Sequence, residues 1–293
     1  MTAMKTRLAA RKASKTPEQH RAEREALLET LNGKITTLSN SAEWIAYLNF
    51  TRAFRKYSFN NQMLILTQRP DATRVAGFRK WQEFGRQVRK GERAIKILGY
   101  SSRKVVQTNP ATGEDEESQI PTFPILSVFD VSQTEGDDLP DQGCVLPESS
   151  DHGFQLNLLK TWLAVEGWIV ETEETRSGLE GYTSHVGKRI ALSDKLGIDA
   201  QLAVLLHEAA HALLHKDSAE YVAHRGLAET EAESAAYVLA GLLGLDLDAS
   251  SISYVAGWAN SKPEVLQAAA QNVLKAVNTI AAGIGLDPTE EVT

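Results

Sequence analysis

The sequence predicts an α+β protein of two domains, and three observations carry that expectation. Helical and alternating hydrophobic patterns succeed one another twice along the chain, each time making a helical group with a small set of strands. Residues 136–153, GDDLPDQGCVLPESSDHG, interrupt all periodicity with Pro, Gly, Asp and Ser. Charge is divided sharply between the two sides of that break. The expected units are residues 1–135, a linker at 136–153, and residues 154–293. At 293 residues the chain has room for two domains of roughly 100–200 residues each. Its 42% hydrophobic and 24% charged content is ordinary for a globular protein, which excludes collagen-like and disordered classes.

The elements follow in order. Thr16-Pro17 is an N-cap and first-turn pair, so an opening helix should run through Leu28 and Leu31 to about Asn32. Asn40 with Glu43 reads as a capping box for a second helix carrying Trp44, Ile45, Leu48 and Phe54. Ser58 should cap a third, FNNQMLILTQ, which must stop before Pro70 because a residue preceding proline disfavours the helical region. VAGFRKWQEFG contains a short helix. RQVRKGERAIKIL then alternates basic and apolar residues about Lys90-Gly91, the pattern of a hairpin with a cationic face. A further strand pair, SRKVVQT with TFPILSVFDVSQT, would be joined by the acidic loop NPATGEDEES. Three helices and a small antiparallel sheet make the first domain.

The second should open with the helix FQLNLLKTWLAVEG, followed by the strand WIVETEE and the pair GYTSHV/KRIALSD. Two long helices, about 199–215 and 226–244, and a helical tail containing SISYVAGWA and PEVLQAAAQNVLKAVNTIAAGI complete it. No internal repeat is present.

The net charge of −7 conceals a division. Residues 1–104 hold 22 Lys/Arg against 8 Asp/Glu, a net of +14, which leaves −21 for the remainder. Such asymmetry fits a polyanionic partner, and equally a basic face docked on the acidic half of its own chain. No run of about 18 apolar residues exists, so no membrane partner is expected. The basic N-terminus lacks the apolar core of a secretory signal. The single cysteine, Cys144, forbids an internal disulfide and fits a reducing compartment, so a cytoplasmic location is expected.

The sharpest chemical signal is His207-Glu208-Ala209-Ala210-His211, inside the apolar helical segment LAVLLHEAAHALLH. Residues four apart share one helix face, so two imidazoles at this spacing can hold one cation. Neutral imidazole suits Zn2+, and a catalytic zinc lowers the pKa of its water toward ~7. Glu208 can then act as catalytic base, taking a proton and returning it to a leaving amine. The third ligand must come from elsewhere. AETEAESAAYVLAG offers Glu229, Glu231 and Glu233; Glu229 and Glu233 share a face, and Glu231 is turned about 200° from Glu229. His215, one turn after His211, is a weaker alternative.

This arrangement resembles the gluzincin metallopeptidases, where a second helix supplies a metal-binding glutamate followed four residues later by an acid that supports a ligand histidine. The resemblance implies a zincin-like second domain, with His207, His211 and Glu229 on zinc, Glu208 as base and Glu233 as the supporting acid. This chain has Glu at 233 where those families often have Asp or Asn. The strand KRIALSD would be the sheet edge that aligns an extended substrate. Tyr221 and His224 are the candidates for stabilising the transition state.

In the basic half, cations are interleaved with aromatics. Basic side chains can follow a phosphate backbone while aromatic faces stack unpaired bases. The candidate nucleic-acid contacts are Arg55, Lys56, Tyr57, Phe59, Asn60, Asn61, Gln62, Arg79, Trp81, Arg86, Arg89, Lys90 and Lys96, with Tyr57, Phe59 and Trp81 as the stacking rings. No DNA-recognition helix or zinc-finger spacing is apparent, which favours single strands over duplex.

The run Tyr-Ser-x-Asn-Asn-Gln, then Gly-x-Arg-x-Trp, Gly-Arg-x-Val-x-Lys-Gly and Phe-Asp-Val-x-Gln-Thr, across about residues 45–136, resembles the N-terminal domain of ArdC-like antirestriction proteins. In that family the module precedes a zinc metallopeptidase-like domain. The resemblance implies single-stranded DNA as partner and protection of incoming plasmid DNA from host restriction. The alternative is a regulatory zinc metallopeptidase acting on a repressor or other host protein, its basic domain recruiting protein rather than DNA. A third reading makes the metal purely structural in a DNA-binding protein.

Overall fold

A computed structural model describes residues 16–108, 115–139, 151–216, 221, 223–248 and 262–286. The fold is α+β, with eight helices and several small sheets among these residues. Cys144 and the segment SISYVAGWA lie outside the described residues, as does most of the expected linker.

Helix α1 (Pro17–Thr37) starts at the capping box formed by Thr16 and Gln19. It runs five residues past the expected stop, because Leu31 and Ile35 continue the stripe that Leu27 begins and all three are buried. Asn40 caps α2 (Ser41–Phe54) by accepting from the Ala42 and Glu43 amides, while the Glu43 carboxylate takes the Lys34 ammonium. Ser58 caps α3 (Phe59–Gln68), and Arg69 ahead of Pro70 leaves the helical region.

The chain then forms β1 (Val75–Gly77), α4 (Phe78–Glu83), β2 (Arg86–Val88), β3 (Ile95–Leu98), β4 (Ser101–Thr108), β5 (Asp115–Thr122), β6 (Ile125–Asp130) and β7 (Thr134–Gly136). The expected hairpin about Lys90-Gly91 does not form. β2 pairs with β7, and β3 pairs with β6 in a three-stranded antiparallel sheet of order β1-β6-β3. A long-range match overrides the local turn: Ile95 sits opposite Val128 in register, and both are buried with Ile97. The loop expected to be acidic is likewise partly strand, since β4 pairs with β5 rather than with β6.

β3 lies at the edge of its sheet, and α3 closes that edge with amide side chains. Asn61 brackets the Leu98 backbone through two 2.9 Å bonds, and Gln68 does the same for Lys96 through two 2.8 Å bonds. Such bonds saturate groups that an open edge would offer to another strand.

The acidic half begins with α5 (His152–Val165) and a second sheet of β8 (Ile169–Glu173), β9 (Gly181–Ser184) and β10 (Arg189–Ser193), in the order β8-β10-β9. β10 is central, parallel to β8 and antiparallel to β9. Three helices follow: α6 (Ile198–Leu214), α7 (Arg225–Leu242) and α8 (Pro263–Gly283). No described helix is long and apolar enough to cross a membrane.

One apolar cluster runs through both halves, from Leu27 to Leu286. Helix α2 lies on α7 and α8: the Trp44 indole donates to Ser234 Oγ at 2.9 Å, and the Tyr47 hydroxyl to the Ala270 carbonyl at 3.4 Å. Arg52 reaches the Tyr237 carbonyl at 3.3 Å, lying 4.6 Å from the centre of that ring. Gly241 makes room for it, since a Cβ there would come within 2.1 Å of the guanidinium carbon. Part of the basic half is thus docked on the acidic half.

Candidate metal centre

Helix α6 is amphipathic with its apolar face inward, so His207 and His211 project one turn apart from the same side. Their Nε2 atoms lie 2.9 Å apart, and each is 3.5 Å from Glu229 Oε2 on the first half of α7. Among the described residues this is the cluster in which three ligand atoms converge within 4.8 Å. Ligands at 2.0–2.1 Å from a tetrahedral zinc stand roughly 3.3 Å from one another. The observed separations bracket that value, so the donor set fits a divalent cation of this size.

Electrostatics follow from the same geometry. Burial would lower the His207 pKa, but the Glu229 hydrogen bond and the charges of Glu208, Glu229 and Glu233 outweigh it and raise it. Glu229 is held far below the usual carboxylate range by the His207 and His211 imidazoles that face its Oε2, joined by the Tyr221 hydroxyl. Tyr221 donates to Glu229 Oε1 at 2.6 Å, and burial together with that carboxylate pushes its pKa up to about 12. His224 is exposed at the N-cap of α7.

Glu208 is 7% exposed, and the Thr183 hydroxyl lies 2.7 Å from its Oε2. Thr183 belongs to β9. That strand approaches α6 closely because residue 181 is glycine; a Cβ there would meet Val204 Cγ1 at 2.6 Å and the Ala191 carbonyl at 3.0 Å. Since β10 is central, the strand whose free side faces the cleft is β9, which corrects the expectation that KRIALSD is the edge. The cleft has a volume of about 720 Å3 and is also lined by Leu179, His185, Lys216 and Arg225.

Behind this cluster, His211 Nδ1 is 2.9 Å from His215 Nδ1, and His215 Nε2 is 3.0 Å from Glu231 Oε2. Asn272, on α8, donates to Glu231 Oε1 at 3.0 Å. His215 is therefore not among the converging ligand atoms, and Glu231 supports it from the far side. Glu233 acts on His207 through its charge. Sequence reasoning did not find Thr183, Asn272 or the pairing of His215 with Glu231. The i,i+4 spacing of His211 and His215 was the one available signal for the last of these.

The basic half uses many of its expected contact residues to hold itself together. Phe59 and Trp81 are 2% and 0% exposed, so neither ring is open to a base; Trp81 also donates to the Phe129 carbonyl at 2.9 Å. A small domain needs its large rings for a core. Tyr57 is half-buried with its hydroxyl on the Val75 carbonyl. Gln62 is fully buried between Thr51 and the Tyr57 carbonyl, and Asn61 closes the β3 edge. Asn60 faces Gln267. Arg55 is 6% exposed and donates to Asn278 and to the Leu286 carbonyl at 2.7 Å. Arg86 and Arg89 bind carbonyls of the 132–137 segment, and Lys96 donates to Ser127. Lys56, Arg79 and Lys90 are exposed.

Open aromatic faces lie elsewhere: Phe78 is 43% exposed, and Tyr100 at 75% and Phe123 at 43% are in edge contact with centroids 5.9 Å apart. Phe123 lines a groove of about 580 Å3 with His20, Arg21, Arg24 and Lys96.

Comparison with known proteins places these features. Residues 26–129 match the family model for the N-terminal domain of anti-restriction factor ArdC. An uncharacterized Bacillus anthracis protein is 25% identical over 291 residues, covering 86% of this chain and 49% of its own length. The chain thus spans about half the length of that curated relative. The metal-free crystal structure of antirestriction ArdC protein from the R388 plasmid superposes with a TM-score of 0.51 at 22% identity, over 78% of this chain and 85% of that one. The Mn(II)-bound structure of the same protein gives 0.49 at 21%, over 81% and 97%. Residues 26–129 thus match the ArdC N-terminal domain, and the chain shares the ArdC fold across most of its length.

Proposed function

We propose that this protein is an antirestriction factor that binds single-stranded DNA through its basic half and holds zinc at His207, His211 and Glu229 in a metallopeptidase-type site. The observation that carries the second part is the convergence of two imidazole nitrogens and one carboxylate oxygen beside a fourth group, Glu208, held separately by Thr183. Two His and one carboxylate with an open position are the ligands of catalytic zinc. When bound, the ion supplies Lewis acidity. Glu208 serves as the base that takes a proton from the attacking water and delivers it to the leaving amine. The free side of β9 among the described strands offers backbone groups to an extended peptide, and Tyr221, kept protonated near neutral pH, would donate to charge developing on a carbonyl by turning its one hydrogen away from Glu229 Oε1.

For the nucleic acid, the groove at Phe123 supplies what single strands need: cations for phosphates, and rings on which bases stack.

Metal content and DNA binding test the two parts separately. Zinc measured by elemental analysis should be stoichiometric in the wild type and in Glu208→Gln, and lost in His207→Ala/His211→Ala. Stoichiometric zinc in the double variant would refute the ligand assignment. Fluorescence anisotropy should show tighter binding to single than to double strands, falling steeply with salt. Tyr100→Ala/Phe123→Ala should weaken it without changing the melting temperature. Restriction protection that survives Glu208→Gln intact means that hydrolysis is not the mechanism. Loss of protection with DNA binding intact favours the regulatory metallopeptidase.

A further inference from the structure

Glu231 is a carboxylate with 5% of its side chain exposed, on a helix whose other acids already account for the metal cluster. A buried charge needs partners, and Glu231 has two: His215 Nε2 and Asn272 Nδ2, each at 3.0 Å. His215 is itself 10% exposed, and its other nitrogen lies 2.9 Å from His211 Nδ1. Helices α6, α7 and α8 each contribute to this line of contacts. It ends on a ligand histidine.

Counting protons along the line fixes its direction. Asn272 donates its amide hydrogen to Glu231 Oε1. Oε2 can only accept, so a neutral His215 must carry its hydrogen on Nε2. With the hydrogen there, His215 Nδ1 is an acceptor, and His211 must supply the hydrogen from its own Nδ1. His211 Nε2 is then a bare lone pair, and His207 Nε2, 2.9 Å away, can supply the hydrogen that it accepts, leaving Glu229 the longer 3.5 Å contact. The opposite tautomer of His215 would set a nitrogen lone pair against a carboxylate lone pair in a buried site, a contact without a hydrogen.

We infer that Glu231 and His215 are positioning residues, with Asn272 as anchor, which hold His211 in the ligating tautomer and fix its ring. The inference rests on the ligand reading above and deepens it. Metal-bound histidines commonly give their second nitrogen's hydrogen to a carboxylate or carbonyl, and loss of such a partner typically lowers metal affinity 10–100-fold. In this chain a second imidazole stands between ligand and carboxylate, so the support reaches across from α7 and α8.

The test uses the full chain with zinc as probe. Two variants separate positioning from simple packing. In His215→Phe/Glu231→Leu both polar partners give way to apolar groups of similar volume, so that neither is stranded by loss of the other and only His211 Nδ1 and the exposed Asn272 amide lose a partner. Glu231→Gln keeps size and removes the charge. Zinc affinity, read by competition with a chelating dye, should fall 10–100-fold in the double variant and about tenfold in Glu231→Gln, with melting temperatures near that of the wild type. Two-bond 1H–15N correlation spectra of the metal-free wild type should place the His211 hydrogen on Nδ1. Glu231→Gln should lose that preference. Zinc affinity within twofold of wild type in Glu231→Gln, or a His211 hydrogen on Nε2 in the wild type, overturns the inference. A wild type that binds no zinc, or a His207→Ala/His211→Ala variant that still does, overturns the ligand reading instead. The spectra decide the positioning question even then, because they need no metal.

Discussion

Replacing Asp130 by asparagine changes one atom and removes one charge at a point where four donors meet. Asp130 is 1% exposed. Its Oδ1 accepts the Thr73 and Arg74 amides at 2.8 and 3.0 Å, and its Oδ2 accepts the Ser132 amide at 2.8 Å and the Ser132 hydroxyl. Asparagine loses least by keeping its oxygen toward Thr73 and Arg74. Its NH2 then faces the Ser132 amide. The hydroxyl can rotate to accept, but the amide cannot. One unsatisfied buried N–H costs about 1–3 kcal/mol, and two remaining bonds fall from charged to neutral strength at about 0.5–1 kcal/mol each. The sum is about 2–5 kcal/mol at neutral pH. Burial would raise the Asp130 pKa, but the hydrogen bonds from Ser132, Arg74 and Thr73 outweigh it and hold it below the usual value. With a depressed folded-state pKa, its contribution is complete above the unfolded value of about 3.9 and is lost as pH falls through the folded one. Urea midpoints should therefore differ by about 1 M at pH 7 and at pH 5, for an m-value near 3 kcal/mol/M, with the gap closing below about pH 4. A variant within about 0.5 kcal/mol of wild type at pH 7 would refute the reasoning. So would a gap that widens toward acid.

Three other outcomes are expected. Gly181→Ala should cost about 1–3 kcal/mol through the clash with Val204, and should loosen the β9 contact that holds Glu208; thermal melting and a Glu208-dependent activity report the two effects. Arg55→Ala should cost about 2–4 kcal/mol by stranding Asn278 and the Leu286 carbonyl, and should leave single-strand affinity unchanged at equal folded fraction. Phe59→Ala should cost about 3–5 kcal/mol in urea denaturation and likewise spare DNA affinity, because its ring is buried.

What could be read from the sequence was what depends on neighbours along the chain. The caps at Thr16, Asn40 and Ser58, the stop before Pro70 and the shared face of His207 and His211 follow from local geometry, and the structure has them. Strand partners did not follow. The turn at Lys90-Gly91 was a local signal, and it lost to a ladder with β6 some thirty residues downstream. The exposure of rings was equally illegible. Tyr-Ser-x-Asn-Asn-Gln and Phe-Asp-Val-x-Gln-Thr contain the residue types that contact nucleic acid, but Phe59, Asn61, Gln62 and Asp130 spend their groups on the fold. Behind the metal cluster, which acid meets His215 depends on how α6 crosses α7. Spacing alone suggested that Glu231 points away, and it does point away from Glu229. It points at a different histidine.

Helix α7 takes part in two structures at once. Glu229 and Glu231 stand in its first half at the metal cluster, and Ser234 and Tyr237 receive Trp44 and Arg52 from the basic half within two turns. It is one element that the cluster and the basic half share. Any factor by which metal alters the hold on a nucleic acid must equal the factor by which the nucleic acid alters the hold on metal, because both describe one closed thermodynamic cycle. Metal affinity measured with and without an oligonucleotide therefore reports the same coupling as DNA affinity measured with and without metal.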